Sequence, residues 1–205
     1  MSKTNQLDKQ IQFIQILDQL KQVFRQSFLL DQSRTENSAE HSWHAAIAAL
    51  VLSDYAKGSP DMSKVVLMLL IHDIAEIEVG DALLYKALKD KTRAAREKLA
   101  AQGIFGTLPK KQASYFLKLW LEFEAGKSKE AKFARAIDRF MPVLHNYLTE
   151  GKSWKKNKIT KDQVLKNNKS IEKGSPVLWD QIVSIIAKAD AENYFYKTKK
   201  IMHKK

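Results

Sequence analysis

The residues with the most chemistry to offer lie in one short stretch, LMLLIHDIAEIEVGD, from Leu67 to Asp81. An apolar run from Leu67 to Ile71 leads into His72 and Asp73, and Glu76 and Asp81 follow. Withdrawing an unpaired carboxylate from water costs several kcal/mol. A divalent cation removes that cost, and neutral imidazole and carboxylate oxygens are its usual ligands. The alternative is a His-Asp pair on a solvated helix face, and the doublet alone does not decide between the two.

Two further residues extend the pattern. His41, in AEHSWHAA, falls in the first turn of an alanine-rich helix, where an imidazole can also simply bind water. Asp138, in AKFARAIDRFMPVL, follows the stripe Ala134, Asp138, Met141, although an exposed Asp paired with Arg135 or Arg139 would read the same way. His41, His72-Asp73 and Asp138 occupy three separate long helices, which a bundle can converge on one point.

Those helices follow from apolar spacing of three and four residues. Ile11, Ile14, Leu17, Leu20 and Phe24 predict a first helix over 7–29. The polar DQSRTENS interrupts it, and Asn37 or Ser38 caps a second over 39–57. A third spans 62–78, closed by Gly80, and would place His72 and Glu76 on one face. Segment 81–89 is ambiguous. Further helices are expected over 90–102, 109–125, 128–148 with a kink at Pro142, 160–172 and 177–200. No strand pattern is evident, so the fold class is all-α, a helical bundle.

Composition bounds the rest. The 205 residues suit a single domain, and 7 Gly and 4 Pro are few for a fold built on frequent turns. Without Cys, any metal site must use His, Asp and Glu. No apolar run reaches the ~20 residues of a membrane span, and the N-terminus is polar, so a soluble cytoplasmic protein is expected. The net charge is +12, of which residues 151–205 carry +9. The basic segment GKSWKKNKITK reads as solvated surface, with attraction of anionic ligands as the alternative.

TENSAEHSW (Thr35 to Trp43) and HDIAEIEVGD (His72 to Asp81) together resemble the HD-domain metal-dependent phosphohydrolases. The branch they are most similar to holds the bacterial 5'-deoxynucleotidases and their eukaryotic relatives. Its form is E-x-x-x-E/D-H-S followed by H-D-x-x-E-x-x-x-G-D. The resemblance covers about residues 10–150, an HD core, and leaves 151–205 as a basic helical extension. It implies one divalent ion (Mn, Co, Fe, Ni, Zn or Mg) held by His41, His72, Asp73 and Asp138. It makes Glu76 the residue that orients water or moves a proton, and Asp81 a contact to the sugar or the water. Arg25 is the candidate phosphate grip, with Arg34 a weaker rival. It also implies a nucleotide-sized substrate and a homodimer. The branch often has Trp soon after that Arg; here Gln26, Ser27 and Phe28 follow, and Phe28 would have to substitute.

Other residues read as bystanders. His44 and His145 are assigned to packing or support of the site, Trp120, Trp154 and Trp179 to the core or an interface, and Arg93, Arg96 and Lys98 to a solvated helix face. Lys86 is a minor candidate for a phosphate contact. The leading function is hydrolysis of nucleoside 5'-monophosphates. The alternatives are another phosphate ester, such as an alarmone or cyclic nucleotide, and a nonenzymatic basic scaffold for nucleic acid.

Overall fold

The computed structural model describes residues 3–82 and 90–197. Helix α1 (Lys3–Asp18) and a 3-10 turn (Gln19–Gln22) lead into a two-stranded antiparallel hairpin, β1 (Phe24–Phe28) with β2 (Thr35–Asn37). Then come α2 (Ser38–Val51), α3 (Met62–Ile71) and the short α4 (Glu76–Val79). The remaining elements are α5 (Arg93–Gly106), α6 (Lys110–Ala125), α7 (Lys129–Leu148), α8 (Lys152–Lys156), α9 (Lys161–Asn168), α10 (Ile171–Gly174) and α11 (Pro176–Ala191). The class is all-α, with the hairpin as its small exception. Most of segment 81–89, ambiguous in the sequence, lies outside the described residues.

Three expectations are corrected. The first helix does not reach residue 29: it stops at Asp18, and Arg25 lies on a strand. Its apolar stripe is also misplaced, because Ile11 and Ile14 are exposed while Phe13 is buried. The third helix does not run to 78. It ends at Ile71, and residues 72–75 form tighter turns in which Ile74 N–H donates to Ile71 O and Glu76 N–H to Asp73 O. Such three-residue bonds wind more tightly than an α-helix. A physical reason is visible at the break. In a continuing helix the His72 carbonyl would accept the Glu76 N–H; here the Trp120 indole takes that carbonyl at 3.0 Å. Leaving such a buried acceptor unpaired would cost about 1–3 kcal/mol.

Local chemistry starts and stops the helices that frame the site. Asn37 and Glu40 form a reciprocal capping box at the head of α2. Ala45, Ala46 and Ala49 are buried along it and let α2 lie close to α3 and α7. The Asp61 carboxylate accepts the N–H groups of Ser63 and Lys64 and caps α3. Ser128 caps α7, the most deeply buried long helix, which continues through Pro142. Pro142 has no N–H to offer the Asp138 carbonyl one turn back.

Residues 151–197 are keyed onto α7. A Cβ built on Gly174 would fall 2.2 Å from the Lys132 carbonyl, so only glycine permits α10 to cross α7 that closely. Trp154, Ile171, Trp179, Ile182 and Ile186 join the same core as α2, α3 and α7. A second cluster, under Phe13, Ile74, Phe105 and Trp120, supports the turn after α3. Lysines 152 and 156 lie over the Phe28 ring, at 4.2 and 5.8 Å, so part of the basic charge is used to brace the hairpin.

Candidate metal centre and adjoining cleft

Helices α2 and α7 and the turn after α3 bring the widely spaced candidates together. His41 Nε2 lies 3.1 Å from Asp138 Oδ1, and His72 Nε2 lies 3.4 Å from the same oxygen. His72 Nε2 is also 3.2 Å from Asp73 Oδ1. Donor atoms of His41, His72 and Asp73 fall within 4.8 Å of one another. Both imidazoles are buried. His72 Nδ1 sits 2.7 Å from the Leu69 carbonyl, which can only accept, so Nδ1 carries the proton and donates it. In the neutral ring the lone pair is then on Nε2, a buried atom with no hydrogen-bond partner among the described residues. An orphaned nitrogen facing two carboxylates is the donor set a divalent ion fits.

Electrostatics agree with that fit. Burial works against a charged His72, but the Asp73 and Asp138 carboxylates outweigh it and push the imidazole up to about 9. Asp138 is also penalised by burial, yet its hydrogen bond with His41 and the nearby positive charge of His72 hold it well below the usual carboxylate range. In the metal-free chain a proton thus substitutes for a cation.

Beside this cluster opens a cleft of about 370 Å³. Arg25, Glu76 and Asp81 line it with Asp73 and Asp138. Arg25 Nη1 donates to Asp73 Oδ2 at 2.6 Å, so Asp73 shows one oxygen to His72 and the other to the guanidinium. Glu76 accepts from the Ser38 hydroxyl at 2.7 Å. Burial and then the Asp73 charge push its carboxyl up to about 8. Burial also raises Asp81, with Arg25 pulling the other way. Gly80, before it, takes φ 72° and ψ 160°, a combination open essentially to glycine alone. Arg34 points elsewhere, into a two-pronged pair with Glu40 at an exposed position.

Several sequence readings change here. Arg93 is not on a solvated face: its side chain is 11% exposed, it donates to the Gly80 carbonyl at 2.8 Å, and it lies 3.8 Å from Glu76 Oε1. No sequence signal pointed to it, since α5 meets this site only through tertiary packing. Arg96 is exposed as expected. Ser153, Trp154 and Asn168 bring the last quarter of the chain to the cleft wall. Phe28 does not line the cleft; Gln26 and Ser27 do. Glu36, buried behind His41, was legible only as the first residue of the E-x-x-x-E-H-S segment. His145 packs near it, burial holding the ring below its ordinary value. Trp120 and Trp179 are core residues, Trp43 is exposed, and Lys86 lies outside the described residues.

The model of the HD domain family matches residues 17–179 and so takes in His41, the His72-Asp73 doublet and Asp138. The chain belongs to the HD-domain family. Among solved structures it is similar to a predicted metal-dependent phosphohydrolase from Magnetospirillum magnetotacticum MS-1, 40% identical, with a TM-score of 0.88 over 94% of this chain and 100% of that one. In sequence it is similar to 5'-deoxynucleotidase HDDC2 of Homo sapiens, 30% identical over 135 residues, 65% of either chain. The Danio rerio counterpart is 28% identical over 144 residues, 69% of this chain and 70% of that one. The match thus spans slightly less than two thirds of the human relative's length. The PH0347 protein from Pyrococcus horikoshii OT3, 22% identical with a TM-score of 0.61 over 87% of this chain and 99% of that one, shares the fold. No described helix is long and apolar enough to cross a membrane.

Proposed function

We propose that this chain is a metal-dependent phosphohydrolase acting on nucleoside 5'-monophosphates, with one divalent ion held by His41, His72, Asp73 and Asp138. The carrying observation is the meeting of His41 Nε2 and His72 Nε2 at one oxygen of Asp138, on the wall of a cleft that also holds Arg25 and Glu76. The similarity to 5'-deoxynucleotidases supports the substrate class. A mixed imidazole and carboxylate set favours Mn, Co, Fe, Ni or Zn over Mg. When bound, the ion supplies a Lewis acid for a phosphoryl oxygen and lowers the pKa of water.

The chain's own groups do the rest. The Arg25 guanidinium is a planar fork suited to a phosphate. It is preorganised because Asp73 already holds Nη1. Glu76, kept protonated near neutrality by burial and by Asp73, can give its proton to the leaving alkoxide. The Ser38 hydroxyl fixes its orientation. Asp81 stands on the same wall as a contact for the sugar.

The test is phosphate release from a panel of ribo- and deoxyribonucleoside 5'-monophosphates, using metal-stripped protein resupplied with Mn, Co, Zn or Mg. Metal-dependent turnover is expected. Since Gln26 and Ser27 stand where the branch has a bulky ring, both sugars should be accepted. Absence of turnover with every ion, alongside proven ion binding, would sink the substrate assignment. A basic nucleic-acid scaffold would instead show salt-sensitive binding that survives metal removal.

Ion loading should also displace a proton. His72 holds one at pH 7 in the metal-free chain, and a ligating imidazole must be neutral. Apparent affinity is therefore expected to climb from pH 6 towards about 9 and then level off. Calorimetry in buffers of different ionisation enthalpy measures the released proton directly. A pH-independent affinity would remove His72 from the ligand set.

A further inference from the structure

Glu36 has no part in the reaction described above, yet it is 2% exposed and sits directly behind the site on β2. A buried carboxylate is retained at a cost of several kcal/mol unless cationic or N–H groups surround it. Three such groups do. Oε1 lies 3.4 Å from Arg25 Nε and 3.5 Å from His41 Nδ1, and Oε2 lies 3.8 Å from His145 Nδ1. The first two partners belong to different functional groups: one is the proposed phosphate grip, the other a proposed ion ligand. They are joined again on the far side, since Arg25 pairs with Asp73 and His41 faces Asp138. Glu36 therefore closes the circuit from the ion-binding cluster to the anion-binding arginine.

We propose that Glu36 is a positioning residue that sets both groups through one carboxylate. Facing His41 Nδ1, it favours the tautomer that carries its proton there and leaves the Nε2 lone pair on the Asp138 side. Facing Arg25 Nε, it holds the guanidinium along the Asp73 edge, so that ion and phosphate are received at a fixed separation. The proposal rests on the reading of His41 as a ligand and Arg25 as the phosphate grip. It goes further in assigning the coupling of the two to a residue that touches neither ion nor substrate.

Glu36→Gln keeps the size of the side chain and removes its charge. In the full-length, metal-stripped protein, Mn2+ affinity measured by calorimetry is expected to fall ~10–100-fold, the usual range for a lost partner of a metal-binding histidine. At saturating Mn2+, KM for a nucleoside monophosphate should rise more than kcat falls, because the arginine loses one of its two guides. Glu36→Asp, which keeps the charge on a shorter stem, should recover part of both. Glu130→Gln is the comparison. Glu130 is another buried carboxylate on α7, accepting the Asp61 N–H, and it sits two turns before Asp138. It should leave Mn2+ affinity unchanged. Glu36→Gln binding Mn2+ as tightly as the wild type, or Glu130→Gln losing as much, would overturn the positioning role. Wild-type protein that binds no Mn2+ would instead remove the reading of the site on which the proposal stands, and the proposal with it.

Discussion

Asp73→Ala is expected to abolish turnover and to weaken divalent-ion binding by more than about 100-fold, exceeding the loss of a mere supporting group. Both of its oxygens are committed: Oδ1 faces His72 Nε2 at 3.2 Å and Oδ2 receives Arg25 at 2.6 Å. Alanine therefore removes a proposed ion ligand and unhooks the proposed phosphate grip in one step. The fold should survive. The packing of α3 rests on Val65, Met68 and Leu69, all buried, and the break after Ile71 is pinned by the Trp120–His72 hydrogen bond, which Asp73 does not enter. Helical circular dichroism should thus persist while calorimetry with Mn2+ goes flat. Retained ion binding in a folded Asp73→Ala protein would refute the ligand set.

Glu76→Gln separates binding from chemistry. The amide fills the same space and can still accept from the Ser38 hydroxyl, so Mn2+ affinity should stay within a few-fold of the wild type. What is lost is a transferable proton. A positioned general acid or base contributes ~10²–10⁴-fold, and kcat should fall by that factor with KM little changed. Burial and then the Asp73 charge lift the Glu76 carboxyl to about 8 in the metal-free chain. A cation held by Asp73 offsets the second cause, moving the value towards neutrality, where proton transfer is most effective. The wild-type rate should therefore show a basic limb, declining as pH rises and the acid form is depleted, and Glu76→Gln should lack it. A variant with undiminished kcat would remove Glu76 from the mechanism.

The two parts of the architecture differ in how far they could be read from sequence. The long helices announced themselves: Ser128 and Gly126 bracket the start of α7, Asn37 and Glu40 form a capping box, and apolar spacing fills the interior. The hairpin did not. FRQSF and TEN are too short for an alternation to register, and Phe24 continues the helical spacing of Leu17 and Leu20, so a helical period of three and four residues ran on over a strand. The end of α3 was hidden for a different reason. Its sequence is helix-compatible throughout, and the break depends on Trp120, 48 residues away, claiming one carbonyl. At the site, His41, the His72-Asp73 doublet and Asp138 stood out by residue type. Arg93 did not, because an arginine in RAAREK has the sequence surroundings of a solvated face, and only the packing of α5 beside α4 turns it inward.

The break after α3 also explains how neighbours in sequence can serve one centre. On an unbroken helix, consecutive side chains diverge by about 100°. Here His72 closes the helix and Asp73 begins the turn, and their functional atoms end 3.2 Å apart. The doublet thus presents two of the proposed donors from one turn, while His41 arrives on α2 and Asp138 on α7. The four proposed donors need only three parts to be registered. The tolerances that matter are the seats of α2 and α7 against the end of α3, and on the α2 side the buried alanines allow that close approach.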